Sequence, residues 1–315
     1  MTASTTAPTI SIVLPTYNGA RYLSQAIQSV IEQTFTDWEL IIVDGESTDA
    51  TPQIIAEFVA RVPRIRAIMH PKAAGRLPGA LNAGFDLARG RYHTWLSDDN
   101  YFRPDALSIF AAYLDANDDV ALVYSHCTTV DTKDGTERLL IKLPVDHLPL
   151  KNVVTPSFLY RARLYSQTGG YRRECFLAED YDFYLRACDF GAFHLLDADL
   201  HVYRFHDGGL THTASRRAID DAVQRALQDC LTQCQWSRQA GPRARLYWYL
   251  ARLAQRHGQH WQWVRYGLAS LRYDARFALR RCFALVLQAV LPTTAWDWVQ
   301  RRYLKQRKRF SKRPL

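Results

Sequence analysis

The chain has 315 residues, 48% of them hydrophobic and 23% charged, with a formal net charge of +9. That is the length of one large domain with a smaller one, in the composition of a folded globular protein. No run of about 18 uninterrupted apolar residues occurs, which argues against a transmembrane helix, and Met1–Thr9 has neither the basic region nor the apolar centre of a secretory signal. The charge is uneven: residues 301–315 carry eight Lys and Arg and no acid. A basic appendage on a nearly neutral body fits this better than a nucleic-acid-binding protein, so no nucleic-acid partner is expected.

In chain order, Ile10–Leu14 is a β-branched run that predicts a buried strand, stopped by Pro15, which cannot continue a central ladder. Asn18-Gly19 makes a turn, and Leu23, Ile27, Val30 and Ile31 recur at helical spacing to about Gln33. Trp38–Val43 predicts a second strand, followed by the acceptor-rich loop Asp44-Gly45-Glu46-Ser47-Thr48-Asp49. Thr51-Pro52 reads as N-cap and first helical residue, with Ile54, Ile55, Phe58, Val59 and Val62 on the packed face. Ile65–Met69 is a third strand, a helix through Leu81 and Phe85 closes at Gly90, and Tyr92–Leu96 is a fourth strand. Strand–helix alternation with short links predicts a right-handed, mostly parallel mixed sheet flanked by helices.

Beyond Pro104 the pattern predicts a helix to about Asn117, strands at Val120–Tyr124, Val153–Tyr160 and Phe193–Leu196, and a helix over Glu179–Phe190. From about Ser215 glycine becomes rare, and Arg-, Trp- and Leu-rich helical segments run to about Gln306. This divides the chain into a catalytic region, 1–212, and a helical C-terminal region with a basic tail, 213–315. Six scattered cysteines form no zinc-type pair of pairs and read as reduced thiols of a cytosolic protein; Cys230 and Cys234 read as ordinary buried thiols.

Three apolar runs stop at polar residues: Leu14-Pro15, Val43-Asp44 and Leu96-Ser97-Asp98-Asp99-Asn100. Converging on one edge of a parallel sheet, they would form the place where open α/β folds bind ligands. Adjacent carboxylates at a strand end are commonly turn or capping residues, and they also suit a hard divalent cation, Mn²⁺ or Mg²⁺.

The ordered set of motifs resembles the inverting glycosyltransferases of family 2, with the GT-A fold. Ser11–Asn18 resembles the family's opening strand and loop, and Gln33-Thr34-Phe35 with Trp38–Asp44 and Ser47–Thr51 its second block. Asn82–Phe85 and Ala88–Tyr92 lead to Ser97-Asp98-Asp99 in the manner of its metal motif, Glu179-Asp180-Tyr181-Asp182 resembles the later acidic motif, and Tyr203–His206 the closing block. The likeness covers about residues 9–212. Two positions depart from the pattern: the second acid after the second strand is displaced to Glu46, and Leu81 replaces a frequent Arg.

The resemblance implies a metal-dependent, inverting transfer of a sugar from a UDP- or dTDP-sugar to a hydroxyl of a glycan or lipid-linked acceptor. It makes Asp99 a metal ligand and Asp98 a ribose or sugar contact. Asp180 is then the general base, and Glu179 orients the site or the acceptor. Asp182, two positions further along a helix, points elsewhere. His206 completes the metal shell or contacts the diphosphate. Pro15, Thr16 and Tyr17 supply backbone contacts and an aromatic wall to the base, and Asp44 accepts from the N3–H of uracil or thymine. Glu46 reaches the ribose, while Lys72 and Arg76 face base, phosphate or sugar. Two other readings are a nucleotidyltransferase, which wants more glycine than Gly19 in the first loop, and a non-catalytic binding module.

The apolar stretch 277–291, with Trp296, Trp298 and Tyr303 beside the basic tail, suits an anionic membrane surface. Packing on the catalytic region or on a second copy is the other reading. The expected location is the cytoplasm, peripheral at the inner face of the membrane.

Overall fold

The computed structural model describes residues 7–71 and 74–290, with side chains described as far as Cys282. Lys72 and the stretch with Trp296, Trp298, Tyr303 and the basic tail lie outside the described residues. The chain divides into two compact units, Met1–Arg238 and Gln239–Leu315.

The first unit opens with alternating strands and helices. They are β1 (Ile10–Thr16), α1 (Leu23–Ile31), β2 (Trp38–Asp44), α2 (Thr51–Arg61), β3 (Ile65–Met69), α3 (Arg76–Phe85) and β4 (Tyr92–Trp95). There follow β5 (Tyr101–Phe102), α4 (Ala106–Ala116), β6 (Val120–Asp131), β7 (Glu137–Leu140), β8 (Phe158–Arg161), α5 (Arg163–Thr168), α6 (Glu179–Ala187) and β9 (Ala192–Phe205). Two helices end the unit, α7 (Leu210–Thr213) and α8 (Arg216–Gln233).

The described strands form one sheet in the order β3-β2-β1-β4-β8-β6-β9-β5, with β7 on β6. The half from β3 to β4 is parallel, β8 runs antiparallel to both its neighbours, and β6–β9 is parallel again. Every residue of β1 and β2 is buried, as expected of parallel strands covered on both faces. Leu23, Ala26, Ile27 and Val30 of α1 and Leu107, Phe110, Ala111 and Leu114 of α4 complete the core. At about 25 cal/mol per Å², each of the leucine, isoleucine, valine and phenylalanine side chains contributes roughly 1.5–3 kcal/mol of burial free energy.

Three sequence expectations shift. β1 continues through Pro15 to Thr16, because the β4 ladder ends at Val13↔Trp95 and the proline N–H is not missed there. Thr51 is the first residue of α2 and not its cap; the Asp49 carboxylate accepts its N–H at 3.0 Å. The strand expected at Val153–Tyr160 begins only at Phe158, beyond Pro156. The first packing unit ends at Arg238: on α8 Asp229 pairs with Arg172 at 3.0 Å, and beyond α8 Trp236 Nε1 donates to Leu185 O at 2.7 Å. Glycine becomes rare at α8, but the packing unit ends after it.

The second unit holds α9 (Ala240–Arg256), α10 (His260–Tyr273) and α11 (Ala275–Val290). Ser270 Oγ donates to Ala244 O at 2.9 Å, and the Tyr247 ring stacks on Tyr266 and Tyr273. No helix among the described residues is long and apolar enough to cross a membrane. The six cysteines are free, with Cys230 and Cys234 buried.

Candidate active site

Parallel register brings the C-terminal ends of β1, β2 and β4 to one edge, so Thr16, Asp44 and the Ser97–Asn100 turn become neighbours. Thr16 Oγ1 donates to Asp98 Oδ2 at 2.6 Å. Gly19 leaves the room for this: a Cβ there would stand 2.1 Å from Asp98 Oδ2 and 2.5 Å from Thr16 Oγ1. Burial pushes the Asp98 carboxyl up to about 6, the neighbouring Asp99 adds to the rise, and the Thr16 hydroxyl opposes it.

Asp99 faces the end of β9. Its Oδ2 lies 3.0 Å from His206 Nε2, and its Oδ1 is buried with no hydrogen-bond partner. Arg204, two residues before His206, donates to Asp99 O and to Gln25 Oε1, and its guanidinium lies 4.9 Å from the Tyr22 ring and 4.6 Å from the Tyr101 ring. Asn100 Oδ1 accepts the Arg204 N–H at 2.9 Å. Arg204 and Asn100 therefore fix the acidic turn against β9. The sequence assigned neither a role, although Arg204 lies within the quoted closing block.

A cavity of about 780 Å³ opens over this edge. Pro15, Thr16, Tyr17, Arg76, Asp98, Asp99 and His206 line it, so seven of the expected site residues come together. It is completed by residues that the sequence did not single out: Tyr22, His70, Phe176, Leu177, Leu210 and Ser215. Arg76 lies 4.7 Å from the Phe176 ring centre, and the Tyr22 ring meets His206 edge-on at 5.0 Å.

The remaining expected residues are placed differently. Asp44 is buried, and its Oδ1 accepts both the N–H and the hydroxyl of Ser47. Asn18 bridges the same loop, donating its N–H to Ser47 Oγ at 2.8 Å and accepting the Thr48 N–H at 2.8 Å. Gly45 lines the cavity, whereas Glu46 is exposed in a left-handed conformation and lies outside it. Asp180 is half-buried at the start of α6 and is not a lining residue. Its Oδ2 accepts from Asn152 Nδ2 at 2.8 Å and Thr155 Oγ1 at 2.6 Å, and its Oδ1 from the Tyr181 N–H. Glu179 is buried and accepts the N–H of Leu177, a lining residue held at φ 79°. Burial, with Asp180 adding to it, raises the Glu179 carboxyl to about 8. Asp182 points away, as expected, into a buried cluster with Arg172 and Arg186.

The donor set at the edge fits a divalent cation. Asp99 Oδ1 is a buried acceptor without a donor among the described residues, and an imidazole stands beside the same carboxylate. Among the described residues no three His, Cys, Asp or Glu gather closely enough to hold a metal alone. A cation held there would need further ligands from water or a substrate phosphate, as Mg²⁺ commonly takes.

A mixed sheet flanked by helices, with paired carboxylates at the ends of its parallel strands, is the GT-A fold. S. aureus TarS 1–349, solved in complex with UDP-GlcNAc, superposes with a TM-score of 0.67 at 19% identity, covering 84% of this chain and 83% of that one. The mannosyltransferase PcManGT from Pyrobaculum calidifontis, solved with GDP-Man and Mn²⁺, superposes with a TM-score of 0.62 at 17% identity, covering 94% and 84%. The family model for Glycosyl transferase family 2 matches residues 11–181, more than half of the chain, and the chain belongs to that family. The PGL/p-HBAD biosynthesis glycosyltransferase of Mycobacterium bovis is 32% identical over 190 residues, 57% of this chain and 70% of that protein. The chondroitin synthase of Escherichia coli is 29% identical over 189 residues, 59% of this chain but only 27% of that much longer protein.

Proposed function

We propose that the chain transfers a glycosyl group from a UDP- or dTDP-sugar to a hydroxyl of a glycan or lipid-linked acceptor, with inversion and with Mn²⁺ or Mg²⁺ bound. The observation that carries this reading is the Asp99–His206 pair at the parallel-strand edge, with the buried Asp99 Oδ1 unpartnered among the described residues. TarS and PcManGT, of the same fold, were solved with nucleotide sugars, and PcManGT with Mn²⁺, which supports the donor class and the cation.

Asp99 and His206 would hold the cation, which would supply a Lewis acid for the diphosphate leaving group. Pro15, Thr16 and Tyr17 flank the nucleoside, with Gly45 giving its backbone close access. Asp98, fixed by Thr16, meets the ribose or sugar, and Arg76 meets phosphate or sugar. The acceptor oxygen forms its bond to the anomeric carbon on the face opposite the diphosphate. The carbon–oxygen bond to the diphosphate breaks with its electron pair, and the hydroxyl proton passes to Asp180. A carboxylate has about four acceptor sites; Asn152, Thr155 and Tyr181 take three on Asp180, which leaves room for the proton. Leu177 and Phe176 connect the start of α6 to the cavity wall, which is the structural support for using Asp180.

The test is UDP-sugar turnover with Mn²⁺. Asp99→Ala loses nucleotide binding and turnover together, while Asp180→Asn keeps binding and loses transfer. Normal transfer by Asp180→Asn removes it as the base, and Mn²⁺-independent binding by the wild type removes the cation.

A further inference from the structure

We infer that α10 carries a docking face for an anionic phospholipid surface. Residues 239–315 hold 17 Lys and Arg against two Asp, whereas residues 1–238 hold 23 Lys and Arg against 29 Asp and Glu. The second unit therefore carries +15 and the first −6. The charge contrast follows the division between the packing units and is not confined to the last fifteen residues.

Within α10 one side packs on α9 and the other is exposed. Tyr266 and Ser270 face α9, through the Tyr247 ring and the Ala244 carbonyl. At about 100° per residue, Trp261, Val264, Arg265, Leu268 and Arg272 fall together on the other side, within an arc of about 100°. Trp261 is 78% exposed and Leu268 62%, while Val264, Arg265 and Arg272 are also exposed. The arc contains no acid. Leu279 on α11 is 60% exposed beside exposed Arg276 and Arg280.

Large exposed apolar side chains grouped on one helix face call for a covering surface. An indole, a leucine and a valine flanked by arginines match an interfacial helix, whose apolar side chains enter the acyl boundary while cations meet anionic headgroups. A two-fold dimer through this face would bring Arg265 and Arg272 towards their own copies with no acid between them. That favours the lipid surface over a second chain. The inference goes beyond the transfer reaction and does not need it, because lipid binding is measured without turnover.

The test uses the full chain and vesicles of phosphatidylcholine with and without phosphatidylglycerol, at physiological ionic strength. Wild type sediments with the anionic vesicles and not with phosphatidylcholine alone. Trp261→Ser with Leu268→Ser, and separately Arg265→Gln with Arg272→Gln, each lose about ten-fold or more in vesicle affinity. Both pairs keep the wild-type circular dichroism and transfer activity towards a soluble acceptor. Brominated lipid quenches part of the wild-type indole fluorescence, and Trp261→Phe removes that part, which reads insertion without disturbing the fold. Unchanged vesicle binding by the Trp261/Leu268 pair, or absence of bromine quenching, overturns the proposal in favour of diffuse charge attraction. A wild-type dimer in sedimentation velocity that the same pair disperses, with no vesicle binding, overturns it in favour of a self-interface.

Discussion

His206 Nε2 stands 3.0 Å from Asp99 Oδ2, across 107 residues of chain. The pair exists because β9 ends beside the acidic turn and Arg204 holds the two together. If both side chains bind one cation, their effects belong to a single group. His206→Ala should weaken UDP binding about ten-fold, or roughly 1.4 kcal/mol, with Mn²⁺ present, and leave metal-free binding unchanged. Adding it to Asp99→Asn should cost little more than the larger single change. Titration calorimetry with and without Mn²⁺ decides this; equal losses in both buffers mean that the pair does not hold metal.

Gly19→Ala places a methyl group where Asp98 Oδ2 and Thr16 Oγ1 now lie, at 2.1 and 2.5 Å. The Thr16–Asp98 hydrogen bond has to open, at a cost of about 1–3 kcal/mol for overpacking, and nucleotide affinity falls with it. Gly267→Ala is the contrast. Its Cβ meets nothing within 4 Å inside α10, so helix propensity should raise stability by about 0.5–1 kcal/mol. Urea midpoints of the two variants should move in opposite directions.

Asp182→Asn removes the shared partner of two guanidiniums. Asp182 is 1% exposed, paired with Arg186 at 2.7 Å and with Arg172. Breaking a buried pair from one side costs about 3–5 kcal/mol. Asp180→Asn should cost much less, since Asp180 is half-buried and its amide replacement still accepts from Thr155 or Asn152. Thermal melts therefore separate two neighbouring acids: one that holds the fold, and one whose loss falls on transfer.

Glu179→Gln tests the buried carboxyl through pH. Its folded-state value near 8 lies above the ordinary 4.5, so the native chain keeps a proton that the unfolded chain releases. Stability from this group is complete below about pH 4.5 and is lost as pH rises through about 8. Glutamine does not titrate and can still accept the Leu177 N–H. The variant's stability relative to wild type should therefore grow across that window by up to about 1.4 kcal/mol per pH unit. Urea unfolding at a series of pH values reads the slope, and a flat difference means that Glu179 is ionised in the native state.

The order of strands and helices, the three strand-end loops and the acids that close them were legible in the chain, because hydrophobic period and turn residues are local properties. Asp98, Asp99 and His206 could be singled out for the same reason: each sits at a recognisable end of an apolar run or in a quoted block. What a carboxylate does at such an end is not local. Asp44 closes β2 and Asp99 stands in the turn after β4, yet Asp44 Oδ1 accepts from Ser47 three residues on, while Asp99 Oδ2 meets His206 across 107 residues of chain. Arg204 and Asn100 acquire their roles only when β9 reaches the acidic turn, and Gly19 is required only because Asp98 arrives opposite it. The Arg172–Asp229 pair, which joins α8 to the first unit, is likewise recorded by no composition shift. Sequence determined which segments fold into strands, helices and loops and which residues could carry chemistry. Tertiary structure decided which of those residues meet, because strand order and long-range pairing belong to the whole sheet and not to any one of its segments.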